Sequence, residues 1–188
     1  MATVINQTRV GAPAQATGGI FIAPVGTAVP VDATTALNAA FKISGLISED
    51  GLTETPNRSS EDVKSWGGHL ARALQSEFGI EVTLTYIERT EETMKEVHGD
   101  ENVKVASTAS AKTMAISKNA KALPNKARIA DMLDGKTKIR LVYPNSQVVS
   151  VGESSYKHSG LITYPVTLKC FPDENGNYAY EYESTSLT

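Results

Sequence analysis

The sequence predicts a mainly β protein, a β-sandwich or barrel carrying one or two short α-helices and one long loop. Three observations lead there. The stretch from Leu70 to Tyr86, LARALQSEFGIEVTLTY, alternates with a period of two. Its even positions hold Leu70, Leu74, Phe78, Ile80, Val82, Leu84 and Tyr86, while its odd positions hold no large apolar side chain. A strand puts successive side chains on opposite faces, so this pattern means one dry face and one wet face. A second alternating stretch follows near residues 161–171, with Ile162, Tyr164, Val166, Leu168 and Cys170 opposed to Thr163, Thr167 and Lys169. Shorter alternating runs separated by Pro, Gly, Asn and Asp complete the pattern.

Seventeen residues of period two is long for a strand. Either it is one strand bent near Gly79, or two strands keep phase through a turn at residues 76–79. No Asn-Gly or Asp-Gly marks a tight turn there, which favours one strand.

Before it, residues 1–17 are rich in Ala, Thr, Gln and Gly without periodicity, and read as an arm ordered by contact. Residues 18–188 form the expected single β domain. GGIFIAPV contains a short apolar strand. Asp32 or Thr34 can cap a short helix over residues 34–41, TTALNAAF, and residues 42–47 look like a strand. Residues 48–60, SEDGLTETPNRSS, are polar, charged and broken by Gly51 and Pro56. They carry no core signal, and a loop of that length is usually functional. Trp66 and the pair Gly67-Gly68 close it.

After the long stretch, Thr90 is a helix N-cap, Glu91 and Glu92 complement the helix dipole, and Gly99 ends the helix. Met94 and Val97 face the core. Residues 101–125 are weakly patterned and locally basic. Residues 137–143, TKIRLVY, alternate with Ile139 and Leu141 on one face and Lys138 and Arg140 on the other; Pro144-Asn145 reads as a turn, and residues 147–151 as a returning strand. PDENGN at 172–177 is a turn cluster, and Tyr178, Tyr180 and Tyr182 alternate in a terminal hairpin partner.

Composition excludes several functions. The chain has 188 residues, enough for a real core, and a net charge of −3, which gives no basic surplus for gripping phosphates. The N-terminus lacks a signal-peptide pattern, and no run is apolar enough for a membrane helix, so synthesis in a cytoplasm and no membrane partner are expected. The lone Cys170 allows no internal disulfide and is expected to be a buried, inert thiol. His69, His98 and His158 have no metal-ligand spacing. Asp173-x-Asn175-x-Asn177 begins like a calcium loop but has Tyr178 where Gly is needed. No phosphate loop, nucleophile elbow or dinucleotide fingerprint is present, so no cofactor, no metal and no enzymatic activity are expected.

Two segments carry a resemblance. GGIFIAPVGTAVPVDATTALNAAF, followed by GLISEDGLTETPNRSSEDVKSWGG, resembles the major tail tube proteins of long-tailed bacteriophages. The later IERTEETMKEVHGD, KIRLVYPNSQVVSVGE and CFPDENGNYAYEY fit the same pattern, so the similarity spans about residue 18 to 182, with residues 106–126 matching least. It implies a fold similar to the type VI secretion tube protein. It implies hexameric rings stacked into a hollow tube that conducts viral DNA, with the chain itself, a tape measure protein, and tail-terminator and tail-tip proteins as partners. It also implies that 48–60 is an inter-ring loop, with Glu49, Asp50, Thr53, Glu54, Thr55, Asn57 and Arg58 as its contact residues and Trp66 anchoring its base.

A long strand with a small, polar second face suits a sheet lining a water-filled channel. Gln75, Glu77, Glu81, Thr83 and Thr85, with Thr163 and Thr167 from the second stretch, are the candidate lumen residues. DNA would pass them without tight binding. The alternative class is a non-enzymatic β-sandwich binding module: a capsid decoration, tail-fibre or carbohydrate-binding domain.

Overall fold

The computed structural model describes residues 8–16 and 18–186. The expected N-terminal arm falls partly outside them, at residues 1–7 and 17. The protein is mainly β. A nine-stranded antiparallel sheet runs in the order β3-β2-β8-β9-β10-β5-β4, with β1 added on β8 and β11 on β9. Its strands are β1 (Ala12–Pro13), β2 (Ile20–Pro24), β3 (Lys42–Ile43), β4 (Ile47–Lys64), β5 (Leu70–Tyr86), β8 (Asn125–Asp134), β9 (Thr137–Val151), β10 (Tyr164–Cys170) and β11 (Tyr180–Thr185). A separate ribbon pairs β6 (Val103–Ser107) with β7 (Lys112–Ile116), and the helix α1 spans Glu91–His98.

The long alternating stretch is one strand, β5, with the predicted bounds. Its dry face is the predicted one where it meets β10. Val82 and Leu84 stand opposite Leu168 and Val166, and all four are buried. They form one cluster with Ile80, Tyr86, Met94, Val97, Val148 and Tyr164. Helix α1 covers this cluster. Thr90 caps it, its side chain accepting the Thr93 amide, and the Gly99 amide closes it on the Lys95 carbonyl. A second cluster gathers Phe21, Ala23, Phe41, Ala127, Ile129 and Val142.

Four expectations are corrected. Residues 48–60 are not a loop; they belong to β4, an 18-residue strand paired along β5. From Leu52 on, the ladder to β5 satisfies the backbone groups of one edge and solvent can reach the other, so the strand needs no apolar face of its own. Residues 34–41 form no helix. Asp32 instead accepts the Thr35 hydroxyl at Oδ2 and the amides of Thr35 and Thr34 at Oδ1 in a capped turn, and these bonds, the hydroxyl's first, hold its carboxyl well below the usual range. Pro144-Asn145 is no turn, since β9 runs through it for 15 residues. The β8 register shifts there, setting Pro144 and Asn145 together against the single residue Ala127. Proline is tolerated at such a bulge because no ladder bond needs its missing N–H. The β9 strand also changes partner here, from β11 at Thr137–Val142 to β10 at Ser146–Val151. For the same reason β11 is not a hairpin partner of the strand before it.

Arg140, on the face opposite Ile139, is buried. Its Nε and Nη2 donate to the two Asp131 oxygens at 2.6 and 2.8 Å, and its Nη1 to the carbonyls of Asp32 and Thr35. One guanidinium thereby fixes the irregular 32–35 segment to the sheet. Arg128 does the same under α1. It donates from Nε and Nη2 to Glu96 Oε2 at 2.9 and 2.6 Å and from Nη1 to the Ser146 carbonyl and hydroxyl. Lys126 completes the network, its Nζ 3.0 Å from Glu96 Oε1 as an ion pair without hydrogen-bond alignment and 2.7 Å from Asp100.

Candidate functional site

The strands β4 and β5 extend far beyond the body. The β10 strand pairs only with residues 80–86 of β5. Residues 70–79 therefore have β4 as their sheet partner and run on for about 33 Å at strand rise. At the far end Ser65 N–H donates to His69 O and Gly68 N–H to Ser65 O, at 2.8 and 2.9 Å. Gly68 has φ of +80°, a backbone region that a side chain would strain. Trp66 stands on this tip, 106 % exposed. It does not anchor the base of a loop; it lies a full hairpin length from the base.

Register shows what each face of the arm carries. Pairs opposed across an antiparallel ladder share a face. From the body outward, Leu52–Leu84, Glu54–Val82, Pro56–Ile80 and Arg58–Phe78 lie on the core side. Thr53–Thr83, Thr55–Glu81, Asn57–Gly79 and Ser59–Glu77 lie on the polar side. The register then shifts: Ser60 opposes Gln75, leaving Ser76 as an extra residue in β5. A bulge of one residue moves everything beyond it to the other face. Gln75 consequently joins the Arg58 side, where Arg58 Nη1 donates to its Oε1 at 2.7 Å. It leaves the polar face on which the sequence placed it. Leu74 crosses the other way and opposes Glu61. The arm beyond Ser76 thus carries exposed apolar residues on both faces, Leu74 and Val63 on one and Leu70 on the other.

The candidate contact residues separate accordingly. Glu49 and Asp50 sit in an irregularity, because four residues of β4, 48–51, oppose the single residue Thr85. Gly51 takes φ of +71° there. Thr53, Thr55 and Asn57 are on the polar face. Glu54 and Arg58 are on the core face, and Glu54 Oε2 accepts the Tyr143 phenol at 2.7 Å. Burial, and then that carboxylate, push the Tyr143 phenol above its ordinary range.

The polar face is continuous across four strands. Thr53, Thr83, Thr167 and Ser150 stand in one transverse row, one residue per strand. Thr55, Glu81, Lys169 and Gln147 form the next. Lys169 therefore stands directly opposite Glu81, a cross-strand pairing of opposite charge. Thr85 lies on the same side, partly buried opposite Pro165. Thr163 is not in the face; it lies before β10 begins, partly buried in the 152–163 connection. Cys170 is buried, and burial pushes its thiol up to about 12. Among the described residues no group of three His, Cys, Asp or Glu side chains is arranged to hold a metal ion.

Sequence reasoning missed the hairpin, though a signal existed. The register pairs 52 with 84, 54 with 82 and 58 with 78, symmetric about Gly67-Gly68, a dipeptide that marks hairpin turns.

The fold and site together define a mainly β protein with a broad hydroxyl-rich sheet face and a long projecting hairpin. Residues 4–185 match the family model described as phage tail tube protein, and the chain belongs to that family. No curated protein sequence matches it. Solved structures share a broad similarity. The cap of the anti-feeding prophage, its tube terminating cap, aligns over 99 % of this chain and 100 % of its own at 11 % identity and a TM-score of 0.44. The sheath–tube complex of the extracellular contractile injection system PVC, in the extended state, aligns over 97 % and 95 % at 8 % identity and 0.43. The baseplate of the anti-feeding prophage aligns over 95 % and 100 % at 12 % identity and 0.39.

Proposed function

We propose that this protein is the building block of a phage tail tube. Copies associate into hexameric rings, rings stack, and the hairpin of one copy grips a copy in the next ring. The observation that carries this reading is the arm. A two-stranded ribbon that exposes apolar residues on both faces is marginal in water and gains its stability against a partner. The other support is the outer edge of β4, an 18-residue strand with β5 as its one sheet neighbour among the described residues. An edge of that length invites pairing, and ring closure removes it.

The polar face lines the lumen, with Thr53, Thr83, Thr167, Ser150, Glu77 and Glu81 toward the channel. Hydroxyls and carboxylates offer a phosphate backbone no counterion-releasing partner. Lys169 is the exception, and Glu81 opposite balances it. DNA passes without tight binding. The role is mechanical and non-enzymatic, in one β domain over 18–188 made in the host cytoplasm. A tape measure protein inside the tube and terminator and tip proteins at its ends are the remaining partners.

The test replaces residues 60–76 by Asn-Gly. This joins the opposed pair Ser59 and Glu77 through a two-residue turn and removes the arm without touching the core. Negative-stain microscopy of the intact protein should show tubes or rings. The truncated protein should stay folded and remain monomeric. Isolated globules from the intact protein at high concentration would favour a binding module instead.

A further inference from the structure

The tip and one cleft of the body are complementary, and they lie on different parts of the molecule. The cleft has a volume of about 590 Å³ and is lined by Ala23, Pro24, Val25, Ala40, Lys42 and Pro124, with Glu92 and Lys95 of α1 on its rim. It exists because β3 is only two residues long. Lys42 and Ile43 pair with Ile22 and Phe21, and beyond them the outer edge of β2 has no strand beside it. The cleft's lysines are each paired with a carboxylate, Lys42 with Glu92 at 3.1 Å, Lys95 with Glu91 at 2.7 Å and Lys126 with Asp100 at 2.7 Å, so their stems and paired heads border the apolar wall.

Trp66 has the matching chemistry. An indole presents a large apolar body and a π face that attracts cations, and Lys stems cover apolar surface while their heads stay wet. The neighbouring Gly67 and Gly68 carry no side chain to obstruct entry. A copy cannot place its own tip there. The Pro24–Lys126 wall of the cleft shares the transverse row of Ser146, Cys170 and Ile80, about 33 Å along β5 from Leu70 and four strands across the sheet.

We infer that the cleft between the β2 edge and α1 receives the Trp66 tip of a second copy of this chain. This deepens the proposed function and rests on its reading of the arm as a grip between copies. The contact is head-to-tail, the kind that repeats along an axis.

Trp66 is the one tryptophan, so its fluorescence reports on the tip alone. On polymerisation its emission should move to the blue. Gly67→Cys leaves the indole in place, and Ala40→Cys is a small change at the cleft wall. Mixed and oxidised in tubes, these two variants should give a disulfide-linked dimer that neither gives alone; the native Cys170 is buried. In Ala40→Glu tubes the blue shift should be lost. A blue shift with no mixed cross-link, or one that survives Ala40→Glu, overturns the cleft and leaves the arm as a grip. Tubes with unshifted Trp66 emission overturn the grip itself, and the cleft with it.

Discussion

Arg58 lies over Phe78 across the root of the hairpin, its guanidinium carbon 4.8 Å from the ring centroid. Tyr178 meets the same ring edge-on at 5.1 Å, and Gln75 accepts a bond from Arg58. These contacts sit where β10 ends, at Cys170 opposite Ile80. They hold the direction in which the arm leaves the body.

Arg58→Ala should therefore loosen the arm and leave the body intact. An exposed cation–π contact contributes about 0.5–1 kcal/mol, so a denaturant melt should shift by no more than that. Hydrogen exchange of the amides beyond residue 60 should quicken in the monomer. Unchanged exchange there would mean that the clamp does not hold the arm.

Leu84→Ala should destabilise the body by about 2–5 kcal/mol in a urea melt, since Leu84 is buried against Val166 in the main cluster. Leu74→Ala, on the exposed arm, should change the melt by less than about 0.5 kcal/mol.

Two ion pairs make a controlled comparison. Removing Glu96 leaves Arg128 buried without a carboxylate partner, while Lys126 keeps Asp100, and Glu96→Ala should cost about 3–5 kcal/mol. Glu101→Ala breaks only the exposed pair with Lys121 and should cost about 0–1 kcal/mol. Equal losses would place both pairs in solvent.

Stability should fall on the alkaline side. Burial raises the Cys170 thiol from 9.0 to about 12, so the folded chain keeps a proton that the unfolded chain releases. Its contribution is complete below pH 9.0 and disappears as pH rises toward about 12. Tyr86 and Tyr143, also raised by burial first, act in the same direction higher still. The check is alkylation of Cys170, which should follow unfolding at every pH in that window. Rapid alkylation of the folded protein would contradict the buried thiol.

Glu77→Lys with Glu81→Lys should slow DNA ejection from virions with full-length tails, and the defect should shrink as salt rises, because screening shortens the reach of exposed charge. Glu81→Lys alone also sets two cations opposite each other at Lys169. Unchanged ejection at low salt would remove both glutamates from the channel.

What was legible depended on where each side chain gains its stability. Phe78 to Tyr86 bury alternate residues within one chain, so periodicity located β5 and its core face. Thr90, Met94 and Gly99 carry local helix chemistry, and α1 followed. Residues 48–60 were opaque because β4 takes its order from ladder bonds to β5, which leave no apolar trace. Gln75 was misplaced because one extra residue, Ser76, inverts the faces, and no side-chain pattern announces a bulge. The buried roles of Arg140 and Arg128 were not legible, since their partners Asp131 and Glu96 come close only after folding.

If the Trp66 tip of one copy docks in the α1 cleft of the next, as proposed, a filament of these subunits has a direction, because tip and cleft are different surfaces of one chain. One terminus would then present unengaged hairpins and the other empty hollows. The two ends are chemically different surfaces, so a factor shaped to close one has no purchase on the other, and growth by addition proceeds through a different encounter at each.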